Sequence, residues 1–562
     1  LLFSPERIEK THVYFESAGL ILVFISFGKY FEAKTKGKAG DAVKKLAGLQ
    51  AKSALVERAG EEIDVPISDI VVGDIIIVKV GEKIPVDGII ISGASTIDES
   101  SITGESIPVG KKIGDVVIGG TINKTRVFKF RTTKIGSDTL LANIIKIVED
   151  ATASKAPIQL LADKVSFYFV PIVMFMATIS FFAWFFAGYG IGFALTTFVS
   201  VLIIACPCSM GLATPTAVMM GTGIAAQRGI LIKSSYALEV AHKVNTIVFD
   251  KTGTLTKGKP EIVTVKYYSF DEEVALALAS GLSKQSHHPI SLALTDFATS
   301  KNITPIDVCD VSEIEGKGIT GQTEKDKTRI LLGNEKLLQE NGIVSFEKNK
   351  DINDIASDGQ TPLCFSYGGK IVAIFGVRDE VKDEAKEAIE RLKKTGKKIM
   401  MITGDKIEVA RAIGNKLGIN DVLAEVLPQE KSTAIKELQR QGKIVAMVGD
   451  GINDAPALAQ ADLGIALGSG TDIALEAGEI ILVKSNLLDV AKAIEISAYT
   501  FKKIRENLFW AFCYNIAGIP IAGGVLYPFT GFLLNPMVAA IAMSFSSISV
   551  VSNSLLMKFR KF

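Results

Sequence analysis

The sequence predicts a multidomain membrane protein. An α-helical transmembrane bundle is joined to a β-rich module and to an α/β domain that carries an inserted α+β domain. Three observations predict this. Apolar residues gather into long charge-free blocks, short alternating runs fill residues 40–150, and strands alternate with helices over 235–500.

The bundle comes first. At 562 residues the chain exceeds what one core organises. A net charge of +1 with 22% charged residues gives no basic field for nucleic acid. The mean hydropathy of +0.32 is high for a soluble chain, and the apolar surplus is concentrated. No charged residue lies between Lys164 and Arg228 or between Glu506 and Lys558. A helix needs ~20 apolar residues to cross a bilayer core, so each block holds two spans. The breaks fall at Gly188-Tyr189-Gly190-Ile191-Gly192 and at Tyr527-Pro528-Phe529-Thr530-Gly531. A fifth span runs from about Val13 to Phe31, with Glu16 inside it. Lys34, Lys36 and Lys38 follow the first span, Arg228 and Lys233 the third, and Lys558, Arg560 and Lys561 the last. Positive-inside orientation then puts the N-terminus outside and both large soluble parts in the cytosol. The start at Leu1, with neither Met nor a signal-peptide pattern, suggests a fragment lacking an upstream region. Cys206, Cys208 and Cys513 lie in or near spans and Cys309 and Cys364 in soluble parts, so no disulfide framework is expected.

The β-rich module shows runs such as Ile75–Val80 and Gly88–Ile91 between Gly and Asp turns. In the α/β part, Val248–Asp250, Ile399–Thr403 and Ile444–Val448 read as buried parallel strands that end in Gly- or Asp-bearing turns. Sites in such sheets lie beyond the C-terminal strand ends. There stand Asp250-Lys251-Thr252-Gly253-Thr254-Leu255-Thr256, Thr403-Gly404-Asp405 and Gly449-Asp450-Gly451-Ile452-Asn453-Asp454, with Lys431 between the last two. A carboxylate at a strand end is a nucleophile for phosphoryl transfer if cations neutralise the incoming phosphate. One Asp-Gly turn is a common loop feature, but a seven-residue run with three further elements in order is specific.

On these motifs the sequence resembles the P-type ATPases over essentially its whole length. The resemblance implies a phosphorylated Asp250, with Thr252 and Asp450 around Mg²⁺, and Thr403, Lys431 and Asp454 in support. Thr103-Gly104-Glu105-Ser106 looks like the family's dephosphorylation loop, in which Glu105 would deprotonate the attacking water. The implied organisation is a first span over 1–39, an actuator domain over 40–150 and a hairpin over 151–234. A haloacid-dehalogenase-like phosphorylation domain over 235–261 and 379–500 follows, with a nucleotide-binding domain inserted at 262–378 and a last hairpin over 501–562.

Ser286-His287-His288-Pro289 resembles the Ser-Glu-His-Pro signature of heavy-metal pumps. It implies that His288 meets adenine and that Gly316, Gly318, Gly333 and Asn334 approach ATP. Without the family, a His-His-Pro is more often a helix start. The chain departs from the family at Ser283, His287, Lys406 and Lys382, where Glu, Glu, Asn and Arg are usual.

Cys206-Pro207-Cys208 lies inside the third span. Residues two apart on a regular helix face different sides, and Pro207 unwinds the turn and re-aims the sulfurs. Two small buried residues around a kink are the alternative. Soft thiolates favour Cu(I). Resemblance to the copper branch implies a ligand set of Cys206, Cys208, Tyr514, Asn515, Met543 and Ser547. Glu16 and Asp163 are either entry groups or boundary carboxylates. The expected activity is ATP-driven export of Cu(I), and of Ag(I), across the plasma membrane, with a copper chaperone as a source and no nucleic-acid partner. The rivals are a zinc or cadmium pump, which would carry Lys and Asp in its last spans, and a membrane-tethered phosphatase, which would carry Asp at position 252.

Overall fold

A computed structural model of the chain describes residues 51–560 and 562, except 59, 104–106, 207–208, 287, 315, 344–348, 451–453 and 469–475. Before residue 51 it describes 19, 22–23, 26–27, 29–30, 33–34 and 48, and those between 19 and 34 are helical. The span expected over Val13–Phe31 therefore lies largely outside the described residues, and Glu16 wholly so. Two units make up the chain, residues 1–242 with 493–562, and residues 243–492.

In the first unit, β-branched residues alternate along short strands and build an antiparallel sheet in the order 61–66, 53–58, 75–78, 128–134, 87–92 and 116–117. Val56 pairs with Ile76 and Ile76 with Phe130, all with no exposure. The run expected over Ile75–Val80 stops at Val78, and Gly81 turns the chain at φ +85°. Ser95–Asp98 pairs with Val109–Lys111 and Ile122–Asn123 in a second sheet. Asn123 anchors it by donating to the carbonyls of Val78, Lys79 and Arg126.

The apolar blocks form helices Pro157–Trp184, Gly190–Ile204, Met210–Ala226 and Pro536–Leu555 and the second half of Leu488–Ala522. Leu140–Phe186 and Pro536–Phe559 are each long and apolar enough to cross a membrane. The expected third span is two shorter helices, Gly190–Ile204 and Met210–Ala226, with the chain out of helix at Ala205 and Cys206. On Pro157–Trp184, Phe167 and Phe175 are 74% and 68% exposed, which water would penalise and hydrocarbon would not. The hairpin turns sit together. Trp184 Nε1 donates to the Gly523 carbonyl at 2.8 Å, and Trp184, Tyr189, Phe193 and Tyr527 cluster with ring centroids 4.8–5.7 Å apart. Amphipathic rings of this kind favour the membrane–water boundary.

In the second unit, parallel strands lie in the order 480–482, 463–467, 445–449, 246–250, 398–402 and 421–423. Every residue of the strand Thr246–Asp250 is buried. Asp250 ends that strand and pairs in register with Ile402, while Phe249 pairs with Val448. The turns after residues 250, 402 and 449 therefore open on one edge of the sheet. The inserted part is an antiparallel sheet in the order 256–267, 370–381, 361–367, 329–333, 318–323 and 308–314. Its core includes Leu276, Leu282 and Leu294 from the helices Glu272–Ser283 and Pro289–Ser300, together with Phe365 and Phe375. The change of pattern read at 262 and 378 falls inside strands that begin at Thr256 and end at Val381.

Membrane helices approach closely where glycine removes the side chain. A Cβ at Gly518 would lie 2.5 Å from Ile204 Cγ1, two residues before Cys206. Gly518→Leu should lower the thermal unfolding temperature of the detergent-solubilised protein, with an overpacking cost of roughly 1–3 kcal/mol. Gly110→Ala, which meets nothing within 4 Å, should leave it unchanged.

Candidate phosphorylation and ion sites

The centre of the sheet edge is one buried lysine between two aspartates. Lys431 lies near the start of the helix Pro428–Arg440, and its Nζ donates to Asp250 Oδ1 at 2.7 Å and to Asp454 Oδ1 at 2.6 Å. The three side chains are 9%, 7% and 1% exposed, so little water solvates the charges. Burial raises the Asp250 pKa to about 7, helped by the charges of Asp454 and Asp450 and opposed by Lys431. Burial also raises that of Asp454. Burial pushes Lys431 down, but the two aspartates outweigh it and hold its pKa above the ordinary lysine value.

The surrounding loop is built on glycine. Gly253 takes φ +72°, and a Cβ there would lie 3.3 Å from Asp450 Oδ2. Thr252 is exposed at the mouth of the site. Thr403 is buried, and its hydroxyl accepts from the Asp405 amide at 3.2 Å. Asp405 in turn pairs with Lys251 and accepts from the Thr361 hydroxyl at 3.3 Å. The Lys251–Asp405 pair was not anticipated; its only signal is that both residues sit just beyond adjacent strand ends. Two carboxylates face one lysine here, Asp450 lies beside the Gly253 turn, and Asp454 Oδ2 is buried without a hydrogen-bond partner among the described residues. An oxygen-only, net-negative set fits a hard cation such as Mg²⁺, which takes one or two carboxylates and draws its other ligands from phosphate and water. No set of three or more such ligands converges among the described residues.

Residues 48–149 match the P-type ATPase actuator domain family, and residues 244–462 match the haloacid dehalogenase-like hydrolase family. The chain is 47% identical over 553 residues to a probable copper-exporting P-type ATPase of Archaeoglobus fulgidus, covering 98% of this chain and 68% of that protein. The chain belongs to the P-type ATPases. It is also 47% identical to a copper-exporting P-type ATPase of Staphylococcus aureus, over 97% of this chain and 67% of the relative. The chain thus spans about two thirds of the length of these relatives. A solved zinc-transporting PIB-type ATPase in the E2.Pi state matches 96% of this chain and 86% of its own, at TM-score 0.57 and 31% identity.

Other residues of this P-type ATPase are placed as follows. Glu105, Cys208 and His287 lie outside the described residues. His288 caps the helix Pro289–Ser300, its Nδ1 accepting from the Ile290 amide at 3.2 Å, which is the helix-start role. Ser283, where Glu is usual in the family, is buried with no hydrogen-bond partner for its hydroxyl among the described residues. Gly318 pairs with Gly333, and a Cβ on either would strike a backbone carbonyl at 2.2–2.3 Å. Asn334 Nδ2 donates to the Gly316 carbonyl at 2.9 Å. These residues are therefore brought together, by a packing need of their own.

In the bundle, Cys206 is half-buried beside Ile204, Ala205, Ile519 and Met543. Asn515 donates to the Cys206 carbonyl at 3.4 Å, and its Oδ1 is buried without a partner among the described residues. Ser547 is buried, but Ser546, not singled out from sequence, donates to Ser209 Oγ at 3.1 Å across the helix break. Tyr514 is 44% exposed and lies against Trp510, while the neighbouring Asn515 is buried. Metal ligation by Cys206 requires the reduced, thiolate form. Cys309, Cys364 and Cys513 are free. Asp163 is exposed and pairs with Lys155 at 3.0 Å.

Removing one member of a buried ion pair costs roughly 3–5 kcal/mol, so Lys431→Met should lower the thermal unfolding temperature. The sign with pH follows. Asp250 and Asp454 have folded pKa values above their unfolded ones, so their contribution is favourable at low pH and is lost as pH rises through about 7. The Lys431→Met deficit should therefore be larger at pH 8 than at pH 6.

Proposed function

We propose that this P-type ATPase exports Cu(I), and Ag(I), from the cytosol at the expense of ATP. The observation that carries the reading is 45–47% identity over 97–98% of the chain to copper pumps. The ion site is consistent with it. Cys206, Cys208 and Met543 offer soft sulfur, and no charged side chain lies between Glu506 and Lys558 to balance a second positive charge. Tyr514, Asn515 and Ser547 complete the set, and Glu16 and Asp163 stand as entry groups.

In the cycle we infer, an Asp250 carboxylate oxygen attacks the γ-phosphorus of ATP and ADP leaves with the electron pair. Lys431 holds Asp250 against Asp454 and keeps it ionised, and Thr403 donates to a phosphoryl oxygen. Asp250 and Asp450, with Thr252, would hold Mg²⁺, which supplies charge neutralisation on the phosphate. His288, Gly316, Gly318, Gly333 and Asn334 hold the nucleotide. Water deprotonated by Glu105 then attacks phosphorus, releasing inorganic phosphate and restoring the carboxylate. The chain is an integral membrane protein; we place it in the plasma membrane with cytosolic soluble domains, supplied by a copper chaperone.

Cu(I) and Ag(I) should stimulate ATP hydrolysis by the full-length, reduced protein far more than Zn²⁺ or Cd²⁺. Cys206→Ser should abolish the stimulation while leaving phosphorylation from inorganic phosphate intact. Equal activation by Zn²⁺ would replace the copper reading with the zinc–cadmium one. Glu105→Gln should form phosphoenzyme that persists, with turnover reduced roughly 10²–10⁴-fold.

A further inference from the structure

The departure at Lys406 acquires a partner in the structure. Lys406 Nζ pairs with Glu335 Oε2, both side chains about a quarter exposed. Glu335 opens the helix Glu335–Glu340, which Asn334 caps by accepting from the Leu337 amide at 3.1 Å. The next residue repeats the contact with opposite sign, Lys336 Nζ lying 3.4 Å from Glu425 Oε2. On the parallel-sheet side, the two acceptor loops are one piece. The Glu425 amide donates to the Asp405 carbonyl at 2.9 Å, and the Val426 amide to the Thr403 carbonyl at 3.1 Å. Glu425 holds a left-handed φ of +56° to do so. Two more groups of the insertion reach the same piece. Thr361 donates to Asp405, and Gly316 lies against Leu427, 3.5 Å from a Cβ there to Cδ2.

We propose that Glu335 and Lys406 are a positioning pair that holds the nucleotide-binding insertion over the edge carrying Asp250. This rests on the phosphoenzyme reading above and adds residues it does not use. The reason is spatial. The pair joins the helix that follows Gly333-Asn334 to the loop that follows Thr403, whose Asp405 is paired with Lys251, next to Asp250. It therefore acts where a nucleotide would be brought to the nucleophile, and has no bearing on phosphate that arrives without a nucleotide. Two contacts of opposite sign also fix direction, because a slip that brings Glu335 towards Glu425 and Lys336 towards Lys406 sets like charges together.

The test is charge exchange in the full-length protein in membranes. Phosphoenzyme is measured from ATP and, separately, from inorganic phosphate. A partly exposed ion pair contributes up to roughly a five-fold factor and its reversal somewhat more. Lys406→Glu and Glu335→Lys should each raise the ATP concentration for half-maximal labelling about five- to tenfold. The double exchange should return it to within about twofold of wild type, because attraction is restored. Labelling from inorganic phosphate should be the same in all four proteins. Three results would overturn the proposal: single variants that leave the ATP dependence unchanged, a double variant no better than the singles, or a parallel fall in labelling from phosphate. Absence of labelling in the wild type would instead overturn the phosphoenzyme reading, and this pair's role with it.

Discussion

The α/β half of this chain depends on one ammonium group held between two carboxylates in a place with little water. Without Lys431, whose Nζ reaches both, Asp250 and Asp454 would be two buried like charges with no cation between them. Such groups escape by taking up protons, and a protonated Asp250 is no nucleophile. With Lys431 present the balance is close, and the Asp250 pKa rests near 7. In the proposed cycle a cation held beside this carboxylate would draw off its proton, and an arriving phosphoryl group would meet an oxygen already stripped of water. The elements that hold this balance are packed into the core. Asp250 is the last residue of a wholly buried strand, and Lys431 projects from a helix whose Ile435 and Leu438 are packed in the core.

The membrane half obeys a different constraint. Lipid cannot hydrogen-bond backbone, so chain that leaves the helix must find partners inside the bundle. The Cys206 carbonyl finds Asn515, and Ser209 finds Ser546. Asn507, also buried, donates to the Ala213 carbonyl and to Ser554, binding three helices by one side chain.

Much of this was legible in the order of residues. Charge-free blocks locate the bundle because hydrocarbon excludes charge whatever the fold, and Gly188 and Gly190 mark a turn because both adopt φ above +80°. Strand ends at Asp250 and Thr403 could be read because each apolar run stops at a turn. Contacts between distant segments could not be read from spacing. Lys431 meets Asp250 across 181 residues, and only register in the sheet brings the turns together. Adjacent residues on a helix point about 100° apart, and here Asn515 is buried while Tyr514 is exposed. Lys406 looked like a simple departure because its partner, Glu335, belongs to another domain.

The most direct measurement of the central claim is where the phosphate goes. The full-length protein is labelled with γ-phosphate from ATP in the presence of Mg²⁺ and quenched in acid. Borohydride reduction of the acyl phosphate then marks the residue for sequencing by mass spectrometry. The account predicts homoserine at position 250 and nowhere else. A mark on another carboxylate, or phosphate that survives as a Ser or Thr ester with Asp250 unmodified, would contradict it.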